Sequence, residues 1–117
     1  MAELSAAELK SFYAGYVNAW NRRDLGRYFS LYRADVVFCD GAAVLRGIDA
    51  LRRRYEAELR EHPDLTMESV RLFVDPERQA IAAENVERGT GIELRGALFL
   101  TLDGDGRIAE IAEYLSG

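Results

Sequence analysis

The sequence predicts an α+β fold, with helices packed on one face of a curved, mostly antiparallel sheet. Three observations carry that expectation. Apolar residues recur at three- and four-residue spacing through the first half of the chain, the period falls to two after Pro63, and the later segments are separated by turn-forming residues.

The first helix is expected over 5–21. Leu9, Phe12, Tyr13, Tyr16, Val17 and Trp20 form one stripe of it, and Ser5 with Glu8 offers a capping box at its start. Trp20 and Asn21 would seat this helix against the next. Asp24 reads as the N-cap of a short helix carrying Leu25, Tyr28, Phe29, Leu31 and Tyr32, and 36–39 reads as a strand. Gly41 and Gly47 bracket a second extended piece over 43–46. Another helix carries Ile48, Leu51, Tyr55 and Leu59, and it ends near His62, because the residue before Pro63 is pushed out of the helical region.

Four strands follow, near 66–74, 79–88, 92–102 and 107–115. The turns between them are Asp75-Pro76, Gly89-Thr90-Gly91 and Asp103-Gly104-Asp105-Gly106, so the strands make an antiparallel meander. The Asp-Gly-Asp-Gly stretch lacks the twelve-residue spacing and terminal glutamate of a calcium loop, and reads as a hairpin turn.

Composition removes several function classes. A chain of 117 residues has room for one core, so 1–117 is expected to be one domain. A hydrophobic fraction of 49% argues against disorder, and no apolar stretch is long enough to span a bilayer. The start shows neither the basic region nor the apolar run of a secretory signal, which makes the cytoplasm the expected location. Cys39 is the only cysteine and His62 the only histidine, so a cysteine-rich or histidine-based metal site has no material. Cys39 reads as a small buried hydrophobe. The net charge of −5 disfavours nucleic acid, and Arg52-Arg53-Arg54, flanked by acids, reads as a solvated helix face.

Tyr16 opens the run Tyr-Val-Asn-Ala-Trp-Asn-Arg-Arg-Asp, Asp40 closes Asp-Val-Val-Phe-Cys-Asp, and Tyr55 ends Leu-Arg-Arg-Arg-Tyr. These runs and their spacing resemble the ketosteroid isomerase and SnoaL-like branch of the nuclear transport factor 2-like superfamily, over nearly the whole chain. The resemblance implies a cone-shaped single domain with a deep pocket between sheet and helices, and a homodimer formed through the outer face of the sheet. It places Tyr16 at the oxyanion-donating tyrosine, Asp40 at the proton-shuttling carboxylate and Tyr55 at a supporting tyrosine. That chemistry is coherent: a carboxylate in an apolar pocket becomes a stronger base through desolvation, and a phenol aimed at a carbonyl stabilises the enolate.

One departure stands out. The family's second oxyanion donor, a protonated carboxylic acid, aligns with Leu98, which cannot donate, and losing such a donor typically costs about 3 kcal/mol of transition-state stabilisation. Strand parity offers a second constellation, in which Glu84 and Glu113 join Asp40 in one cavity. The ending Ile-Ala-Glu-Ile-Ala-Glu-Tyr-Leu is similar to the last strand of SnoaL-like polyketide cyclases and limonene epoxide hydrolases, which puts Glu113 at the acid those groups use. Glu84 falls near the first acid of the hydrolases, with Ala82 where they keep an arginine.

The leading expectation is therefore a cofactor-independent, metal-free enzyme of the isomerase or cyclase kind. Asp40 is its base and Tyr16 its oxyanion donor, and an apolar small molecule is held among Trp20, Phe38, Leu98 and Leu115. Water activation by Glu84 and Glu113 is the alternative enzyme, and a non-catalytic ligand-binding or dimerisation module is the alternative class. Each side chain also has a plainer reading: Asp40 as a turn former before Gly41, Tyr16 and Tyr55 as packing, Glu84 and Glu113 as solvated or dimer-facing strand residues.

Overall fold

Ser5 opens the first helix as its spacing to Glu8 predicts. Its hydroxyl accepts from the Glu8 amide at 3.1 Å while its own amide donates to the Glu8 carboxylate at 2.9 Å, and α1 (Ala6–Asn21) follows. The computed structural model describes residues 3–41 and 43–117. After α1 come α2 (Leu25–Ser30), capped by Asp24, then β1 (Tyr32–Asp40), β2 (Ala43–Arg46) and α3 (Ile48–Glu61). The meander is β3 (Thr66–Asp75), β4 (Ala80–Gly89), β5 (Ile92–Leu102) and β6 (Ile108–Ser116).

The six strands form one sheet in the order β2-β1-β6-β5-β4-β3. Every neighbouring pair is antiparallel except β1 and β6, which run parallel and join the two halves of the chain. Register shifts within β1/β6, β3/β4 and β5/β6 bend the strands locally. The helices cover one face, where Leu9, Tyr13, Tyr16, Trp20, Leu51 and Tyr55 meet Phe38, Ile81, Leu98, Leu100 and Ile111 in the core. Phe73, Phe99 and Tyr114 are exposed on the other face, and Phe99 meets Tyr114 edge-on. Gly96 is needed there for space: a Cβ at that position would lie 1.7 Å from the Tyr114 carbonyl oxygen on β6.

Three local expectations change. Tyr32 is the first residue of β1, not the end of the short helix, because α2 closes at Ser30 and the Leu31 carbonyl accepts from the Ile108 amide at 2.8 Å, starting the β1–β6 ladder. Trp20 packs on Tyr28 of α2 as expected, with ring centres 5.1 Å apart, but Trp20 and Asn21 also tie α1 to the β3 side. The Trp20 indole donates to the Leu65 carbonyl at 3.0 Å, and the Asn21 amide both donates to the Met67 carbonyl and accepts from its N–H. Asn21 thus extends the strand pairing of β3 by one side chain. Cys39 is half-buried rather than enclosed, since it alternates with the core residue Phe38 and lies on the opposite face.

Directly paired residues of adjacent strands share a face, so register fixes which side chains meet. One row on the helix-covered face runs Asp40, Glu113, Leu98, Ala83 across β1, β6, β5 and β4. The row one step deeper runs Phe38, Ile111, Leu100, Ile81. These two rows set the position of the site.

Candidate active site

Between α3 and the ends of β1 and β6 lies a cavity of about 220 Å³. Asp40, Glu113 and Leu115 reach it from the sheet, Arg54, Glu58, Glu61 and His62 from α3, and Leu65, Ile92 and Leu94 form its apolar wall. Behind it is an inner compartment of about 10 Å³, the room of roughly one water molecule, bounded by Tyr16, Trp20, Tyr28, Tyr55, Met67 and Glu87. Glu58 and Glu113 line both spaces.

The helical repeat explains the α3 contribution. Leu51, Tyr55 and Glu58 lie on one face at spacings of four and three, and Arg54 and His62 flank that stripe, so one helix presents a phenol, an acid and a cation to the sheet. Arg54 turns inward, against the expectation of a solvated arginine face. It is ion-paired with Asp40, both side chains being about one-third exposed, and its guanidinium lies 5.2 Å from the Phe38 ring centre.

Three acids have no such partner among the described residues. Burial, reinforced by Glu87, Glu58 and Asp40, pushes the Glu113 carboxyl from near 4.5 to about 8, with Arg54 opposing weakly. Burial, with Glu58 adding to it, pushes Glu87 to about 7. Glu58 is also raised by burial, with Arg54 and His62 acting against that. Glu113 therefore holds its proton at neutral pH, and a hydrogen-bond donor stands beside the ion-paired Asp40.

The floor of the inner compartment is phenolic. The Tyr28 hydroxyl donates to Tyr16 at 3.0 Å, the Tyr32 hydroxyl lies 3.2 Å from Tyr16, and Tyr28 and Tyr32 are 2.7 Å apart. Burial holds all three, and Tyr55, above the ordinary phenol range, so they remain protonated donors. Three phenols carry three protons for these three mutual contacts, so Tyr16, Tyr28 and Tyr32 satisfy one another as a closed cluster. Tyr13 and Asn85 satisfy each other beside this cluster. The Tyr55 hydroxyl is buried and has no hydrogen-bond partner among the described residues.

The residues singled out from sequence are thus divided. Asp40 and Glu113 share the outer cavity; Tyr16, Tyr55 and Trp20 line the inner compartment, and Asp40 does not reach it. Leu115 lines the cavity, whereas Phe38 and Leu98 are fully packed into the core: Phe38 is covered by the Tyr55 ring, and Leu98 stands between Glu113 and Ala83. Glu84 is a correction. Ile81, Ala83, Asn85 and Glu87 form the inward set of β4, so Glu84 points to the other face and bonds Arg71 at 2.6 Å. The third inward acid is Glu87, three positions on. The cavity wall also carries more charge than the expected apolar lining. Among the described residues no three His, Cys, Asp or Glu side chains are placed to hold a metal ion together, and no helix is long and apolar enough to cross a membrane.

A sequence model described as a SnoaL-like domain matches residues 13–111. No curated protein matches the chain. Among solved structures, a SnoaL-like protein of unknown function from Burkholderia thailandensis E264 superposes with a TM-score of 0.84 at 18% identity, over 99% of this chain and 100% of that one. A provisionally assigned ketosteroid isomerase from Kribbella flavida DSM 17836 gives a TM-score of 0.79 at 19% identity, over 93% and 78% of the two chains. The epoxide hydrolase/cyclase-like enzyme SalBIII, of pyran ring formation in the polyether salinomycin, gives 0.79 at 15% identity, over 94% and 92%. At these identities the likeness is one of fold.

Proposed function

The chain belongs to the SnoaL-like domain family, and from that premise we propose that it is a cofactor-independent acid–base catalyst, of the isomerase or cyclase kind, acting on a small carbonyl compound. The observation that carries this reading is the pairing of Asp40 with Glu113 across β1 and β6 in one cavity. Two carboxyl groups in different surroundings, one ion-paired at the rim and one buried and protonated, divide the roles of base and acid between them.

In this reading Asp40 takes a proton from the carbon beside the carbonyl, the Glu113 O–H donates a hydrogen bond to the carbonyl oxygen as enolate charge develops, and Asp40 returns the proton further along the conjugated system. Leu98 cannot donate, but Glu113 is its direct cross-strand neighbour, so the donor is displaced by one strand rather than lost. Tyr16 lines the inner compartment with Glu113 and not the outer cavity, so it does not meet a substrate held at the rim. A volume of about 220 Å³ lies below the roughly 300–1,000 Å³ of pockets for drug-sized ligands, which favours a substrate smaller than a steroid. The outward position of Glu84, bonded to Arg71, speaks against water activation by Glu84 with Glu113.

The test is absorbance-monitored conversion of 3-cyclohexenone to its conjugated isomer by wild type, Asp40→Asn and Glu113→Gln. Each substitution is expected to lower turnover by at least about 100-fold, the usual worth of a positioned proton-transfer group. Full turnover in either variant would remove that residue from the mechanism. No turnover by the wild type on small enones would return the protein to the ligand-binding class.

A further inference from the structure

We propose that the ligand of this cavity carries a protonated amine, seated in the inner compartment against Glu58, Glu87 and the Tyr55 hydroxyl. The inference rests on the reading of the cavity as the substrate site, and it names the substrate class: a small aminocarbonyl compound with an apolar body.

Charge is the first observation. The two spaces, which share Glu58 and the protonated Glu113, carry Asp40, Glu58, Glu61 and Glu87 against Arg54 and His62, and Arg54 is already engaged with Asp40. An anionic ligand would enter against this field, and a neutral one would leave Glu58 and Glu87 without a counter-charge. The second observation is independent of charge. The Tyr55 hydroxyl is buried, lacks any partner among the described residues, and lines the compartment that Glu58 and Glu87 bound. A polar atom left so in the core is destabilising unless a ligand completes it.

Size and donor count fit an ammonium head. About 10 Å³ accommodates one small polar group, and an ammonium brings three donors and no acceptor, matching one phenol oxygen and two carboxylates. A chelated metal is the poorer fit, because no three acidic side chains are placed to ligate one ion among the described residues. The remainder of the ligand would extend past Glu58 and Glu113, which line both spaces, towards Leu65, Ile92, Leu94 and Leu115. Its carbonyl would then lie beside Asp40 and Glu113, so binding and proton transfer use different acids.

Binding should release protons. Without a ligand Glu87 titrates near pH 7, held up by burial and by Glu58; Glu113 faces it from β6, Tyr13 and Tyr16 from α1, Tyr28 from α2 and Tyr55 from α3. Asp40, Arg54, Glu61 and His62 lie at the outer cavity. An ammonium beside Glu87 favours its ionised form, so a fraction of a proton leaves on binding near pH 7.

The experiment is calorimetric titration near pH 7 with phenethylamine, 2-phenylethanol and 3-phenylpropionate, in two buffers of different protonation enthalpy, on wild type, Glu87→Gln and Glu84→Gln. Phenethylamine is expected to bind at least about tenfold more tightly than the alcohol, with proton release, and the carboxylate more weakly than both. That preference should vanish in Glu87→Gln and persist in Glu84→Gln, whose site lies on the opposite face. Equal or tighter binding of the alcohol or the carboxylate would overturn the proposal, as would failure of phenethylamine to bind or an unchanged preference in Glu87→Gln. None of these results bears on Asp40 or Glu113, whose part in proton transfer is read separately from enone turnover.

Discussion

Leu98 on β5 stands directly across from Glu113 on β6, so the apolar residue at the expected donor position is flanked by a protonated acid one strand away. In the function proposed above, the donor would have changed strands without leaving its row of the sheet. It also places an acid where ionisation opposes folding.

Glu113 binds its proton up to about pH 8 in the folded chain but only to near 4.5 when unfolded, and Glu87 behaves likewise up to about 7. Between those limits the folded state holds more protons than the unfolded one, so stability falls as pH rises and levels off above about 8. The expected outcome is a wild-type Tm that declines from about pH 5 to 8, with a shallower decline in Glu113→Gln and a higher Tm for that variant at pH 8. Melting curves by circular dichroism across this range decide it; parallel curves for the two proteins would refute the assignment.

Tyr28→Phe and Tyr55→Phe remove the same atom from two buried phenols, with different consequences. Tyr28 bridges Tyr16 and Tyr32, and its loss leaves both short of a partner, costing about 1–3 kcal/mol. The Tyr55 hydroxyl has no partner to leave behind, so its removal should be neutral or slightly stabilising. Urea denaturation of the two variants measures the contrast, and equal destabilisation would contradict the hydrogen-bond pattern.

Arg54→Met separates two roles of one cation. Its ion pair with Asp40 is about one-third exposed, so the loss of stability should be small, on the order of 1 kcal/mol or less. Arg54 also opposes the rise of Glu113, and without it that carboxyl should titrate higher still. Carbon-detected NMR titration of the glutamate carboxyls reads the shift; movement of Glu113 downwards would show that Arg54 does not act on it.

Phe73, Phe99 and Tyr114 expose an apolar patch on the helix-free face of the sheet. The homodimer implied by the family resemblance would cover it, and light scattering at micromolar concentration should then give twice 13.2 kDa. Phe99→Asp should return the mass to that of one chain, because burying an unpaired charge opposes association. A wild-type monomer would leave this face without the expected partner.

Element types were largely legible in the sequence because the period of the apolar pattern changes at Pro63; β2 and β5 lie where it put them, and the Ser5–Glu8 capping box formed. Tyr32 was misplaced because an apolar residue at helical spacing also satisfies the first position of a buried strand. On β4, Ile81, Ala82 and Ala83 are apolar in succession, so polarity did not mark which face is inward, and Glu84 was taken for the site in place of Glu87. The interior position of Ile81 is the signal that would have set the parity. Glu58 was readable in principle: it follows Tyr55 by three on α3. The parallel pairing of β1 with β6 has no local signature, and with it the meeting of Asp40 and Glu113 lay beyond a sequence pattern.

That pairing has a consequence for how the protein assembles. β6 sits between β1 and β5, so β1 and β2 have no strand to join on the meander side until the last segment of the sheet arrives. Closing a ladder between residues separated by more than half the chain is entropically slow. By that cost the locally connected units, the β1–β2 hairpin and the β3–β6 meander, are the ones favoured to pair ahead of the β1–β6 ladder that unites them. Because Asp40 lies on β1 and Glu113 on β6, the two carboxyl groups meet only when this ladder closes, and a chain caught before it presents the open edges of β1 and β6 with no cavity between them.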